Sequence, residues 1–380
     1  MKFLMISSFL PSVLNFRGKL LEAIQQQGLE IHIIAPDLAL FKTEQQKLEA
    51  LGYYVYDVPM QRTGTNPIAD LKTLRAMYNL IKKIKPEYVL SYTIKPVIYG
   101  TLGAWLAKVP HRFALITGLG YAFQNVEHGS KRSFFQKVVH GLYQHALSHS
   151  HKVFFQNPDD LKLFQDLKLV KSHLPTVVVN GSGVNVTDFN VLPFPLNAQN
   201  SPKLSFLLIA RLLGDKGVRE YAEAAKLIKK QYPEVEFHLV GWIDENPAAI
   251  QQSELDMWIA DLRLKYWGKL SDVRPAIAAS SVYVLPSYRE GTPRTVLEAM
   301  AMGRAIITTD APGCRETVAQ GENGFLVEVK SVTSLVNAMQ EFIHKPELIE
   351  QMGQRSREIA LHKYDVHQVN RHMMQEMGLI

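Results

Sequence analysis

Two glutamates eight positions apart, Glu290 and Glu298, frame the string SYREGTPRTVLEAMAMG at 287–303. The apolar run Val282–Leu285 predicts a strand that leads through Pro286 into a turn, and a helical pattern resumes at about Arg294. Glu290 therefore falls in the turn at the strand's carboxyl end, followed by Gly291-Thr292-Pro293, and Glu298 falls one turn into the helix. Between them the backbone N–H groups near Thr295 and Val296 lie at a helix N-terminus, where the positive end of the dipole favours phosphate. Carboxylates on either side of an anion site suit a ligand whose hydroxyls flank a diphosphate, which is to say a nucleotide sugar. The bland alternative for either residue alone is a helix-terminal or solvated carboxylate.

A second constellation, ARLLGDKGV at 210–218, directly follows the strand pattern Leu204–Ile209. Arg211 and Lys216 are two cations at a strand-to-helix connection. An arginine binds phosphate oxygens bidentately and a lysine binds them as a point charge. Both would neutralise charge developing on a departing diphosphate. The alternative is a solvated surface pair.

Such residues need strands and helices that bring two loops to one edge. In the front half, strand patterns at Phe3–Ser7, Glu30–Ala35, Tyr53–Val58, Tyr88–Tyr92 and Arg112–Thr117 alternate with helical ones at Phe16–Gln27, Thr43–Leu51, Asp70–Ile84 and Ile98–Ala107. In the back half, strands at Leu204–Ile209, Glu236–Val240, Val282–Leu285, Ala305–Thr308 and Gly324–Val327 accompany helices at Val218–Gln231 and Arg294–Met302. Short β-rich runs separated by helices of this length mark βαβ units and parallel sheets. The fold class expected is α/β, two doubly wound domains in tandem, with ligands at the carboxyl ends of the strands. The stretch 191–202, VLPFPLNAQNSP, with three prolines and two asparagines, reads as the linker.

With 380 residues, 47% hydrophobic and 21% charged, the chain has ample apolar surface for large cores and none of the bias of a disordered or coiled-coil protein. The single cysteine, Cys314, excludes a disulfide framework and a cysteine-cluster metal site. The net charge of +6 is unevenly placed: residues 1–190 carry +8 and residues 191–380 carry −2. No segment holds the 18 or so apolar residues of a membrane span. The N-terminus MKFLMISSFLPSVL lacks a small-x-small cleavage site and reads as the first buried strand of a cytoplasmic protein. The first βα turn, SSFLPSVLNFRG, has no G-x-G-x-x-G, which argues against a dinucleotide dehydrogenase.

The stretch 128–153 contains four Lys or Arg and five His, with no acidic residue between Glu127 and Asp159. Its apolar pairs Phe134-Phe135, Val138-Val139, Leu142-Tyr143 and Ala146-Leu147 recur every four residues. A basic amphipathic helix of this kind, 131–152, is a candidate membrane contact; the alternative is a helix packed on its own sheet. The histidines read as surface residues rather than metal ligands, and no nucleic-acid recognition motif is present.

Taken together, Glu290-x7-Glu298 in EGTPRTVLEAMAMGRAII, with Arg211 and Lys216 in ARLLGDKGV, is similar to the retaining glycosyltransferases of family 4, which have the two-domain GT-B fold. The similarity extends through LNFRGKLLEAI, LSYTIKPVIYG at 90–100 and HRFALITGLGYAF at 111–123, which resemble the CapM-like and PglA-like subgroup of bacterial capsule, O-antigen and lipid-linked oligosaccharide assembly. The resemblance covers essentially the entire chain. It implies two facing Rossmann-like domains with a central cleft: an acceptor domain, 1–192 plus a C-terminal helix 364–380 crossing back, and a donor domain, 193–363.

The resemblance also implies roles. Glu290 would bind donor-sugar hydroxyls and Glu298 the nucleotide ribose, while Arg211 and Lys216 would hold the diphosphate. Gly291, Thr292, Thr295 and Val296 belong to the same donor site, and Tyr266–Leu270, ending in Leu270, would lie beside the base. On the acceptor side, Asn15 and Arg17 are expected in the first βα turn. Tyr92, Thr93 and Lys95 follow a later strand, and Gly118-Leu119-Gly120 follow another. Arg17 or Lys95 would meet an acceptor phosphate, and Gly118 and Gly120 would admit a ligand close to the backbone; solvated charges and a tight turn are the alternatives. Relatives commonly carry a histidine after the strand that here ends ITGLG; this sequence has none there and no D-x-D anywhere. The expectation is therefore a retaining, metal-independent transferase reacting on one face of the sugar. It would move an N-acetylhexosamine, with N-acetylgalactosamine favoured, from a UDP-sugar to a polyprenyl-diphosphate-linked glycan, peripherally at the inner membrane. A UDP-sugar epimerase and a non-catalytic nucleotide-sugar-binding protein are the alternatives on the same residues.

Overall fold

Short apolar runs that are buried along their whole length, such as FLMI in the first strand and SFLLI in the eighth, fit only a sheet covered by helices on both faces. The computed structural model describes residues 1–61, 66–119, 130–196, 203–244, 246 and 248–380, with the backbone alone over 130–135. Among the described residues the first sheet comprises β1 (Lys2–Ile6), β2 (Glu30–Ala35), β3 (Tyr54–Asp57), β4 (Tyr88–Tyr92), β5 (His111–Ile116), β6 (Lys152–Phe155) and β7 (Thr176–Val178). The second comprises β8 (Ser205–Ile209), β9 (Glu236–Val240), β10 (Lys265–Tyr266), β11 (Val282–Leu285), β12 (Ala305–Thr309) and β13 (Gly324–Val327). All neighbours are parallel, in the orders β3-β2-β1-β4-β5-β6-β7 and β10-β9-β8-β11-β12-β13. The strand order reverses between β1 and β4 and again between β8 and β11. Connections leave those points in opposite directions, and a crevice opens at the carboxyl ends.

The chain divides into two compact units, Met1–Ser182 with His367–Ile380, and Gly183–Val366. Each sheet has a hydrophobic core on both faces. The last helix, Val366–Glu376, returns to the first unit, where Met373, Met374 and Met377 share a core with Phe3, Leu20 and Ile24. Glu376 accepts from Lys152 at 2.6 Å.

The division falls between 182 and 183, ahead of the proline-rich stretch expected to link the halves, part of which (197–202) lies outside the described residues. The reason is two arginines of the second unit that hold the intervening segment. Arg357 donates to the carbonyls of Val186 and Phe189, and the buried Arg304 donates to those of Leu192, Met302 and Ile277. Phe194 lies against the Arg304 guanidinium, 4.6 Å from ring centroid to Cζ. Burial pushes Arg304 down to about 10, which still leaves it charged at neutral pH.

Two local expectations change. The first helix runs Leu10–Gln26 rather than starting at Phe16, because Pro11 sits in its first turn, where a missing N–H does no harm. Asn15 and Arg17 are therefore inside the helix and not in the βα turn. The basic helix, Ser130–Leu147, buries Val139, Tyr143, Ala146 and Leu147 in the first unit's core, and Tyr143 meets Phe164 edge-on at 5.6 Å. Among its described apolar side chains Leu142 also packs against this core and Val138 is exposed, so most of that stripe is spent on the unit's own core.

Replacing Arg304 by methionine strands several buried carbonyls, each at roughly 1–3 kcal/mol. Denaturant unfolding should show the second unit destabilised by about 3 kcal/mol or more, with Arg304→Lys recovering only part, because an ammonium lacks the guanidinium's fork.

Candidate functional site

At the second reversal point, β8 ends at Ile209 and the chain passes through Arg211 to a tight turn, Gly214–Lys216, and the helix Val218–Gln231. From β11 it passes through Pro286 and Ser287 to Glu290, then enters the helix Arg294–Ala301. The two loops are tied together. The Tyr288 N–H donates to the Asp215 carbonyl at 2.9 Å, the Ser287 hydroxyl oxygen lies 3.2 Å from the same carbonyl, and the Tyr288 hydroxyl donates to Glu220 at 2.5 Å. Thr309, at the end of β12, donates to the Ser287 carbonyl, and the Glu290 N–H donates to Pro312 at 2.9 Å.

Two glycines set how closely these loops approach. Gly217 has φ +70, and a Cβ there would lie 2.1 Å from the Pro286 carbonyl oxygen. Gly313 has φ +80, and its Cβ would lie 2.2 Å from that of Glu290. No side chain fits at either point.

Within this frame the Lys216 ammonium meets the Glu290 carboxylate at 2.5 Å, and the Ser287 hydroxyl donates to the same oxygen at 2.8 Å. Burial pulls the Lys216 ammonium down, but Glu290 and then Asp215 outweigh it and the net shift is upward. Lys216 therefore stays charged in a crevice largely closed to water. Arg211, half-exposed, is paired with Asp244 at 3.1 Å. It is near enough to Lys216 for its charge to oppose that of the lysine.

Glu298 is buried one turn into its helix and accepts from Arg294 Nε at 2.8 Å. Burial pushes its carboxyl up, Arg294 opposes the shift, and the net direction remains upward. The expected amide donors are placed unequally: the Val296 N–H turns back to the Pro293 carbonyl at 3.1 Å. The Thr295 hydroxyl lies 2.6 Å from the hydroxyl of the buried Tyr283, which is also 3.2 Å from the Ile209 carbonyl, so the helix start is pinned to the end of β8. Gly291 is buried and Thr292 half-buried in the intervening turn. Leu270 packs partly buried against the core beneath this edge. Before it, the Trp267 N–H donates to Leu239 and the Gly241 N–H to Gly268, both at 2.9 Å.

Tyr283 and Thr309 carry no motif of their own, and nothing in the sequence of 287–303 marks Ser287 and Tyr288 as ties between the two loops. Arg294 had a signal, its i,i+4 spacing to Glu298.

The first unit's reversal point is arranged differently. Ser8 and Thr93 hydroxyls meet at 2.7 Å across it, and Ser12 and Tyr92 at 2.8 Å. Thr93 has φ +68, uncommon for a residue with a branched Cβ and frequent at ligand-facing turns. Arg17, 3% exposed, is packed inside the unit with its guanidinium 5.7 Å from the Tyr92 ring centroid. Asn15 is exposed on the helix. Lys95 is paired with Asp70 at 2.7 Å, both side chains mostly covered. The space a Cβ of Gly118 would take is open, and Gly120 lies outside the described residues. Among the described residues no group of three or more His, Cys, Asp or Glu side chains is placed to hold a metal ion.

Residues 11–157 match the family model described as glycosyl transferase 4-like, and residues 203–345 the model for glycosyl transferases group 1. The chain belongs to these family 4 glycosyltransferases. This glycosyltransferase is 29% identical, over 93% of its chain and 92% of the relative, to N,N'-diacetylbacillosaminyl-diphospho-undecaprenol alpha-1,3-N-acetylgalactosaminyltransferase of Campylobacter jejuni. It is 28% identical, over 74% of its chain and 73% of the relative, to an Escherichia coli UDP-Gal:alpha-D-GlcNAc-diphosphoundecaprenol alpha-1,3-galactosyltransferase. Its GT-B fold is shared with Anabaena HepE, solved in complex with UDP, at a TM-score of 0.76 and 18% identity over 100% of both chains.

Gly217→Ala forces the Lys216 and Glu290 loops apart at a positive φ. It is expected to destabilise the glycosyltransferase by about 1–2 kcal/mol and to lower its transfer rate at least tenfold. Initial rates measured well below the variant's melting temperature separate the two effects.

Proposed function

We propose that this glycosyltransferase moves an N-acetylhexosamine, N-acetylgalactosamine in preference to N-acetylglucosamine, from a UDP-sugar to a polyprenyl-diphosphate-linked glycan with retention at the anomeric carbon. The observation that carries the reading is the charged Lys216–Glu290 pair at the second reversal point, flanked by Arg211 and by the buried Glu298. Glu290 binds hydroxyls of the donor sugar. Glu298 accepts from the ribose hydroxyls, and Arg211 and Lys216 bind the diphosphate with Gly291, Thr292, Thr295 and Val296 around it. Leu270 lies against the base. Support for the donor and acceptor classes comes from the names of the C. jejuni and E. coli relatives, both of which act on undecaprenyl-diphosphate-linked sugars.

In the proposed step the bond from sugar C1 to the β-phosphate oxygen breaks as the acceptor hydroxyl oxygen bonds to C1 on the same face. The hydroxyl proton passes to the departing diphosphate oxygen. Lys216 and Arg211 supply two positive charges where negative charge grows, Lys216 from a mostly covered position and Arg211 from a half-exposed one, so the reading requires neither metal nor cofactor. On the acceptor side, Lys95 would exchange Asp70 for an acceptor phosphate, while Arg17 and Asn15 shape the neighbouring helix and Gly118 leaves room for the chain of the ligand. On this reading the enzyme works peripherally at the cytoplasmic face of a membrane; among the described residues no helix is long and apolar enough to cross one.

Lys216→Ala and Glu290→Ala should each lower transfer from labelled UDP-N-acetylgalactosamine to lipid extract by about a hundredfold or more; undiminished transfer by either variant would sink the assignment. Product analysis without lipid separates transfer from epimerisation, which needs no acceptor.

Arg294→Gln tests the role of Glu298. Burial raises the Glu298 carboxyl and Arg294 holds that rise back, so loss of the arginine moves protonation further toward neutral pH. A protonated carboxyl accepts less well from ribose hydroxyls. Donor KM in the variant should therefore climb as pH falls, starting at higher pH than in wild type, with kcat little changed. Parallel KM profiles would exclude this role for Arg294.

A further inference from the structure

Helix Pro67–Ile84 buries Thr73, Met77, Ile81 and Ile84 against the first sheet. At 100° per residue, its opposite side is an arc of about 120° that carries Ile68, Leu71, Lys72, Arg75, Lys82 and Lys83, all exposed. Ile68 is 70% and Leu71 67% exposed, neighbours one turn apart. No acidic residue falls in the arc. The acid of the first turn, Asp70, points the other way and is neutralised by Lys95. None of the four cations forms an ion pair among the described residues; Lys82 Nζ rests over the Tyr78 ring at 5.7 Å. On the neighbouring turn Leu40 is 77% exposed, and Asp37 on that turn lines, with Met60 and Lys72, a groove of about 670 Å³.

Single exposed aliphatics are ordinary on a protein surface. An adjacent pair on an otherwise cationic helix face, in the unit that carries the excess positive charge, is not explained by folding, because this helix has already spent a full apolar stripe on the core. We propose that this face docks on an anionic lipid surface, with Ile68 and Leu71 entering the headgroup boundary and Lys72, Arg75, Lys82 and Lys83 meeting lipid phosphates. The basic helix Ser130–Leu147, by contrast, has Val139, Tyr143, Ala146 and Leu147 in the core and a single exposed aliphatic, Val138, among its described side chains. Charge selects among occupants. A second copy of this chain would bring four cations against four cations across a two-fold axis. A nucleic acid would satisfy the cations and leave the two aliphatics against a polar backbone. Only an anionic bilayer offers phosphates and an apolar layer in the right order. The docking would serve the lipid-linked acceptor proposed above and in that respect rests on that reading, but vesicle binding itself is measured without sugar substrate.

Flotation with vesicles of phosphatidylglycerol and phosphatidylcholine, set against pure phosphatidylcholine, measures the contact. The full chain should bind the anionic vesicles, release with added salt, and bind the neutral ones at least tenfold more weakly. Ile68→Asp with Leu71→Asp, and separately Lys82→Glu with Lys83→Glu, should each lower anionic-vesicle binding at least tenfold. Both variants should keep the wild-type melting temperature and the wild-type rate on a short-chain, water-soluble acceptor. Equal binding by wild type and variants, equal binding to neutral and anionic vesicles, a dimer dissolved by the Ile68/Leu71 variant, or RNA binding lost with the lysines would each overturn the proposal. Intact vesicle binding in a protein that transfers to no lipid-linked acceptor would support this surface while removing the acceptor assignment.

Discussion

Lys216 and Glu290 follow different strands, β8 and β11, and their 2.5 Å contact depends on the reversal of strand order between those strands. Elsewhere in the sheet, successive loops leave in the same direction and stay parallel. Here they diverge, and the crevice lets two backbones come close enough for a lysine from one to reach a carboxylate of the other. A mostly covered ion pair gains by contact only if its geometry is held, since desolvation of both charges works against it. The surrounding bonds supply that rigidity: Tyr288 to the Asp215 carbonyl, Thr309 to the Ser287 carbonyl, and Tyr283 beneath Thr295. Gly217 and Gly313 set the approach distance from two sides.

Much of this was legible before any coordinates. Strands such as Tyr88–Tyr92, Glu236–Val240 and Val282–Leu285 announce themselves as short β-rich, mainly apolar runs between helical patterns, because a strand covered on both faces admits few polar residues. Glu290 and Glu298 were readable because a strand, a turn and a helix start lie in direct sequence around them. What was not readable depends on register and on distant partners. β6 follows a histidine-rich stretch and β10 is two residues long, so neither stands out as a period. Tyr283 looks like any strand aromatic until β11 is placed beside β8, where its hydroxyl reaches both Ile209 and Thr295. Arg17 reads as a phosphate-binding cation in a turn; extension of its helix back to Leu10 carries it inside, beside Tyr92.

Arginines do unlike work within the second unit. Arg304 and Arg357 bind carbonyls of the segment after Gly183 and fasten it to the second unit. Their charge is incidental to a role that uses the guanidinium as a rigid fork of donors. Arg211 stands half-exposed, paired with Asp244. The contrast separates arginines that hold the fold from one that, in the proposed function, exchanges Asp244 for the diphosphate.

The last helix has a bearing on how the molecule is made. Met373, Met374 and Met377 complete a core whose other members, Phe3, Leu20 and Ile24, leave the ribosome first. At roughly 5–20 residues per second, about 10 to 40 s of synthesis separate Ser182 from that closing helix. Throughout that interval the early-made unit waits with one apolar face uncovered, while the later-made unit, Gly183–Val366, is contiguous and has all it needs to finish first. Order of synthesis and order of completion are thus reversed, and the nascent first unit is the stage at which a chaperone would have something to hold.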